Sequence, residues 1–348
     1  MAGGSTMKNQ RFAGPMGNWM VQHLTLRRSL GYLYISAEYT LDAFDQFLDE
    51  NFPICKVITR QMVIGYLDTT HHKASSTRAA HVSDLRQFCR FMLQFDLTTY
   101  IPEKGLVRPS KVQIKPYIFT QKEVCTVMLQ ATRFKVKSKI LPHTYKTIIG
   151  LLWTTGMRIG EVIRLKIEDI DTKNDLLTIR QTKFYKSRLI PLMPSTTQKL
   201  IDYLTRRSHC GYDNTPAAPV FINNRGRPCT ISTTPKTLQT LFDRAGLKTD
   251  QNRLPRVHDL RHSFATRWLM DIYQLGKDPN IYLPVLATYL GHSNLANTQV
   301  YLHPSLELLG IAGEKLHSYL QSNQEVDNEK SKRTDDVRPG FFPELLNR

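Results

Sequence analysis

Hydrophobic positions in the first hundred residues recur at every third or fourth place: Leu41, Phe44 and Leu48 in one stretch, Val82, Leu85, Phe88, Met92 and Phe95 in another. That spacing returns to one face of a 3.6-residue turn and predicts a small helical domain over residues 15–100. Ser75, Ser76 and Thr77 offer hydroxyls that can cap the later helix, which puts Arg78, Arg86 and Arg90 on its outer face as a basic stripe. The pattern stops between Tyr100 and Pro116, where Pro102, Gly105, Pro109 and Pro116 stand among lysines and arginines. Prolines and charge without apolar periodicity make an extended linker, assigned to residues 101–116.

A second domain is expected over residues 117–320. Thr120 and Glu123 have the spacing of a capping box, and Thr144 to Trp153 is a long apolar helix. From Leu176 to Leu192 the pattern changes to alternation around Lys183, Phe184, Tyr185 and Lys186, which predicts a β-hairpin with a basic tip. Val220 to Cys229, with Gly226, reads as a second short strand pair. The remainder is helical. Pro235 opens and Gly246 closes one element, His258 to Met270 form the next, Ile281 to Leu290 stop at Gly291, and Leu306 to Leu320 carry a leucine stripe. Residues 321–348 form a polar tail with an apolar end, GFFPELLNR, open to two readings: a frayed terminus or a segment that docks on a neighbouring subunit. The fold class is mostly α with a small antiparallel β-sheet, an α+β chain of two domains.

Charge changes this picture. The 47 Lys and Arg against 30 Asp and Glu give +17, and the excess is concentrated in residues 113–320, with 29 basic and 15 acidic side chains. Such a balance favours a polyanionic partner, nucleic acid before a membrane surface. Cys55, Cys89, Cys125, Cys210 and Cys229 are odd in number and form no CxxC pair, so neither a disulfide framework nor a zinc site is expected and a reducing cytoplasm fits best. The first residues, MAGGSTMKNQRF, have no apolar signal core, and no apolar run approaches bilayer-spanning length, so neither secretion nor membrane insertion is expected.

Four places can carry chemistry. In Thr155, Gly156, Met157, Arg158, Ile159, Gly160, Glu161, a glycine ends one apolar helix and a second begins at once, so Arg158 projects from a tight turn. Its guanidinium can grip two phosphate oxygens, or it can be a structural partner of Glu161 or Asp169. His258 and Arg261, three apart, share a helical face and can converge on one point. His292 follows a glycine-terminated helix, and Tyr301 comes nine residues later. A phenol with its ordinary pKa of about 10 needs nearby cations and a proton acceptor to act as a nucleophile, and otherwise Tyr301 is a core tyrosine. Lys183 at the hairpin tip can protonate a leaving oxygen, or it is a solvated turn residue. Together, two arginines, a lysine, two histidines and a tyrosine are the groups required for attack on a phosphodiester, with the guanidinium groups neutralising charge on the non-bridging oxygens.

The order Arg158, Lys183, His258, Arg261, His292, Tyr301, and the strings TGMRIGEVIRL, LPRVHDLRHSFAT and LGHSNLANTQVYLH, resemble the tyrosine recombinase (phage integrase) family over about residues 115–305. The resemblance implies that Tyr301 is the nucleophile and that the earlier helices are a core-binding domain closing a C-shaped clamp on DNA. Arg78, Arg86, Arg90 and Lys186 are then candidate DNA-binding residues. It implies a homotetramer on two double-stranded DNA sites, with accessory recombinases or DNA-bending proteins as further partners, working without metal or other cofactor. Integration and excision of a mobile element, phage or transposon, is the expected role. Phe184 and Tyr185 stand where the family often has glycine, which leaves Lys183 and Lys186 both open as the acid, with Lys183 preferred; Asp271 to Pro284 is also longer than usual.

Three other readings compete. A type IB topoisomerase shares the tyrosine, arginines and lysine, but that class usually has lysine where His258 stands. A non-catalytic DNA-binding protein of the same fold would be free to lose members of the set. A metal nuclease would need acidic ligands, and no Asp or Glu cluster accompanies the histidines of the second domain or the His71, His72 pair.

Overall fold

The computed structural model describes residues 11–109, 115–134, 138–180, 187–291 and 298. The chain opens with four helices: α1 (Gly17–Ser29), α2 (Ile35–Asn51), α3 (Arg60–Thr69) and α4 (Ser75–Met92). Leu41, Phe44, Leu48, Leu85 and Phe88 are fully buried in one apolar cluster, as their spacing predicts. Phe95 departs from that expectation: α4 ends at Met92, and Phe95 is left 55% exposed against Trp19 and Phe91. The hydroxyl run is not a cap either. Ala74 holds the N-cap position of α4, so Ser75, Ser76 and Thr77 form its first turn.

The arginine stripe of α4 is also corrected, because only Arg90 is exposed. Arg78 is half-buried and donates to the Leu67 carbonyl at 3.4 Å, while Arg86, also half-buried, donates to the carbonyl of Pro102. Residues 101–109 carry no helix or strand, and Arg86 thereby ties them back to α4.

A separate apolar cluster starts at Phe119 and runs to Leu260. It is built by α5 (Gln121–Thr132), α6 (Leu141–Thr155), α8 (Pro194–His209), α9 (Thr234–Arg244) and a three-stranded sheet. The Thr120 hydroxyl accepts from the Glu123 amide at 3.3 Å, and the Glu123 carboxylate accepts from the Thr120 amide at 2.7 Å, closing the capping box at the start of α5. Between α6 and the sheet lies the single turn α7 (Ile159–Val162). The sheet is antiparallel in the order β1 (Ile170–Asp171), β2 (Leu176–Ile179), β3 (Arg188–Pro191), with Leu176 opposite Pro191 and Ile179 opposite Arg188. This confirms the hairpin and the mostly helical class, and adds the short β1. The hairpin tip, with Lys183 and Lys186, lies outside the described residues.

One expectation here needs correction, and one helix was not foreseen. Val220 to Cys229 is a tight turn with one isolated bridge, Ile222 to Pro228, and not a strand pair. Helix α8 was hidden behind the prolines and polar residues that begin it, since Pro194 is acceptable in a first turn where its missing N–H costs nothing.

The chain closes its described part with α10 (Asp259–Gln274) and α11 (Pro279–Leu290), packed through Phe264, Leu269, Leu283, Leu286 and Leu290. Gly291 ends α11 at φ 68°. The long segment before it is the last turns of α10, a connection, and a helix that tolerates Pro284. The expected helix Leu306 to Leu320 and the tail 321–348 lie outside the described residues.

Candidate active site

Gly156 sets the geometry of the first site residue. It ends α6 in the left-handed region at φ 60°, and a Cβ there would stand 2.4 Å from the Phe264 ring. Glycine is needed on both counts. The chain then turns, Arg158 takes the N-cap position of α7, and its amide donates to a Glu161 carboxylate oxygen at 2.9 Å. The Arg158 guanidinium, 38% exposed, donates through Nη1 to the other Glu161 oxygen at 2.9 Å and through Nη2 to the Gly291 carbonyl at 3.0 Å. Of its two candidate partners, Glu161 is therefore the real one. Asp169 is paired with Arg180 at 2.5 Å.

His258 and Arg261 sit at the head of α10. Asp259, 2% exposed, accepts from the Arg256 amide at 2.8 Å and from its guanidinium at 2.8 Å, which locks the loop carrying His258. Ser263 fixes the same turn to the start of α5 by accepting from the Phe119 amide at 2.8 Å. Arg261 is buried and spans two segments, donating through Nη1 to the Gly156 carbonyl at 2.8 Å and through Nη2 to the Leu290 carbonyl at 2.7 Å. It thus binds the turn that holds Arg158 to the end of α11. His258 reaches the surface, yet desolvation of its inner edge, then the charges of Arg261, Arg158 and Arg256, keep its pKa below the usual 6.5 against the pull of Asp259. A neutral imidazole follows, able to accept a proton. The His262 ring meets it edge-on at 4.9 Å between centroids, and burial holds His262 down at about 4.

The structure therefore brings Arg158, His258 and Arg261 together, while Lys183, Lys186, His292 and Tyr301 lie outside the described residues. His292 directly follows Gly291, whose carbonyl Arg158 engages.

One residue in this cluster escaped the sequence reading. Arg188, the first residue of β3, donates to both Glu161 oxygens at 3.1 and 2.8 Å and through Nε to the Tyr289 carbonyl at 2.9 Å. A signal for it existed: alternation in Arg188, Leu189, Ile190 leaves Leu189 exposed and Ile190 buried, so Arg188 occupies an inward position of the strand. The end of α11 thus receives three guanidinium groups, favourable at the negative pole of a helix. Burial raises the Glu161 pKa, but the Arg188 and Arg158 bonds outweigh it and hold the carboxyl below its ordinary range. Among the described residues no group of three or more His, Cys, Asp or Glu is placed to hold a metal ion, and no helix is long and apolar enough to cross a membrane.

Residues 118–307 match the phage integrase family. The chain is 34% identical over 302 residues to the integrase/recombinase y4rB of Sinorhizobium fredii, covering 85% of this chain and 95% of that protein. It is 32% identical to the tyrosine recombinase XerC of Lactobacillus delbrueckii subsp. bulgaricus, covering 78% and 88%. A solved structure of the Tn1549 transposon integrase, bound to transposon right-end DNA, shares the fold at a TM-score of 0.60 and 17% identity, covering 86% of this chain and 99% of that one. The chain belongs to the phage integrase family and is a tyrosine-type site-specific recombinase. The two relatives favour recombination over topoisomerase-like relaxation or DNA binding alone.

Proposed function

We propose that Tyr301 breaks and rejoins DNA at specific sites, with Arg158 and Arg261 binding the scissile phosphate. The carrying observation is that both guanidinium groups reach one point, the Leu290 carbonyl, beside a neutral His258. The Tyr301 oxygen bonds to phosphorus and the bond from phosphorus to the 5′ oxygen breaks. The phenolic proton passes to His258, Lys183 gives a proton to the departing 5′ oxygen, and His292 donates to a phosphate oxygen. The 3′-phosphotyrosyl bond retains the energy of the original ester, so another 5′ hydroxyl can reverse the step with no nucleotide consumed and no cofactor or metal.

In this reading residues 117–320 are the catalytic domain, residues 15–100 are the core-binding domain completing a C-shaped clamp, and 101–116 is the linker between them. Their separate apolar clusters support the division. On α4, Arg90 is the free cation for the backbone, and Arg78 and Arg86 shape the surface that carries it; Lys186 serves beside Lys183. The partner is double-stranded DNA at paired recombination sites, held by a homotetramer to which the tail 321–348 docks between subunits, with accessory recombinases or bending proteins as further partners. The reaction takes place in the cytoplasm and serves integration and excision of a mobile element, a role supported by the integrase/recombinase name of one relative.

The test is a duplex selected by binding from a random pool and nicked next to the cleavage point, so that the broken strand diffuses away. Wild type should accumulate a covalent adduct, in EDTA as well, and Tyr301→Phe should form none. An adduct on the phenylalanine variant would overturn the assignment.

A further inference from the structure

Glu161 poses a problem for an anion site. A buried carboxylate, 6% exposed and 2.9 Å from the Arg158 guanidinium, forms with it a pair of no net charge, and a neutral pair is a weak receptor for a phosphate. The solution lies in Arg188. It takes both Glu161 oxygens in a fork, so each oxygen already accepts one bond from Arg188 when Arg158 approaches. Arg158 then engages Glu161 through one guanidinium nitrogen, Nη1, instead of a two-pronged grip, and the trio carries a net charge of +1.

Arg188 is also fixed in place. Only 12% exposed, it is anchored by the Tyr289 carbonyl through Nε and lies flat under Gly291, where a Cβ would stand 2.8 Å from Nη1 and 3.0 Å from Cζ. It begins the strand that follows residues 181–186, the stretch of sequence that holds Lys183, touches the carboxylate that holds Arg158, and supports the glycine that precedes His292 in sequence. Three separate parts of the active site thus meet on one side chain.

We propose that Arg188 is a positioning residue for the cleavage reaction: by occupying Glu161 it leaves the Arg158 guanidinium available to the scissile phosphate. The proposal rests on the catalytic reading given above. Without Arg188, the carboxylate is free to turn and take Arg158 in a two-pronged pair.

The test compares wild type, Arg188→Met, Arg188→Lys and the double variant Arg188→Met with Glu161→Gln. Each is assayed in single-turnover cleavage of the nicked duplex, in binding of the same duplex uncut, and by thermal melting. Arg188→Met should lose about 100-fold or more in cleavage rate while binding changes by only a few-fold. Arg188→Lys keeps the charge but not the fork, and should fall in between, at roughly 10-fold loss. The double variant should recover at least about 10-fold over Arg188→Met, because a neutral amide does not capture Arg158. A purely structural Arg188 predicts the reverse, a double variant no faster than the single one with both melting early. Should Arg188→Met fail to fold, the Lys variant decides: folded protein that cleaves at the wild-type rate overturns the proposal, as does a double variant without recovery. Failure of the wild type to form an adduct would instead strike the catalytic reading itself.

Discussion

Arg158 and Arg261 donate to one backbone oxygen, the carbonyl of Leu290, at 3.5 and 2.7 Å. The two side chains come from different elements, one from the turn after α6 and the other from α10, and the end of α11 is their common seat. The two differ in burial, and that difference separates their mutational effects.

Arg158→Met removes a 38% exposed group and should cost about 100-fold or more in cleavage with a melting temperature close to wild type. Arg261→Met leaves the Gly156 and Leu290 carbonyls without their buried donor, so it should lose cleavage and also about 2 to 4 kcal/mol of stability. Urea unfolding and adduct formation on the same samples check both. Equal stability loss in the two variants would contradict the difference in burial.

Gly156→Ala should be among the most damaging small substitutions. The residue is held at φ 60° and the new methyl would meet the Phe264 ring, at 2.4 Å before relaxation, between α6 and α10. A loss of roughly 3 kcal/mol is expected from left-handed strain and overpacking combined. A shift below about 0.5 kcal/mol in urea unfolding would show that the turn gives way easily.

The cleavage rate should fall on the acid side with a midpoint below 6.5. His258 must be neutral to accept the phenolic proton, and burial with Arg261, Arg158 and Arg256 nearby lowers its pKa. Single-turnover rates between pH 5 and 8 would read this directly. An acid limb centred above 6.5 and retained in His258→Gln would assign the proton to another group.

His23 gives a separate dependence, of stability. It is fully buried against Tyr34, Phe88 and Phe91, neither ring nitrogen has a hydrogen-bond partner among the described residues, and burial with Arg27 nearby lowers its pKa to about 4. The unfolded chain takes up this proton near 6.5 and the folded chain only near 4, so stability falls as pH drops through that window, by on the order of 3 kcal/mol. His23→Phe should flatten the loss between pH 6.5 and 4 and stabilise the protein at neutral pH. Urea midpoints at several pH values test it, and an unchanged slope in the variant would contradict the account.

Much of this was legible in the sequence where a local rule governs. The capping box at Thr120 and Glu123, the glycine stops at Gly156 and Gly291, and the alternation of the hairpin each depend on neighbours within a few residues. The order of Arg158, His258 and Arg261 was readable from their strings, and Arg158 and Arg261 are joined through the Leu290 carbonyl at the end of α11. What was hidden depends on distant contacts. Arg86 carries the spacing of an outer-face residue, but its guanidinium turns to Pro102; strand alternation places Arg188 inward, but its partners Glu161 and Tyr289 come from distant segments. Helix α1 also lacked a clear apolar stripe, because His23 and Gly17 occupy part of its buried face.

In the proposed reaction Tyr301 becomes covalently joined to a DNA 3′ end. Digesting the trapped complex with trypsin and sequencing the nucleotide-bearing peptide by mass spectrometry tests it most directly. The expected result is a phosphodiester on Tyr301, a free 5′ hydroxyl on the released strand, and no such peptide from Tyr301→Phe. Attachment to any other residue, or a 5′ phosphate on the released strand, would contradict it.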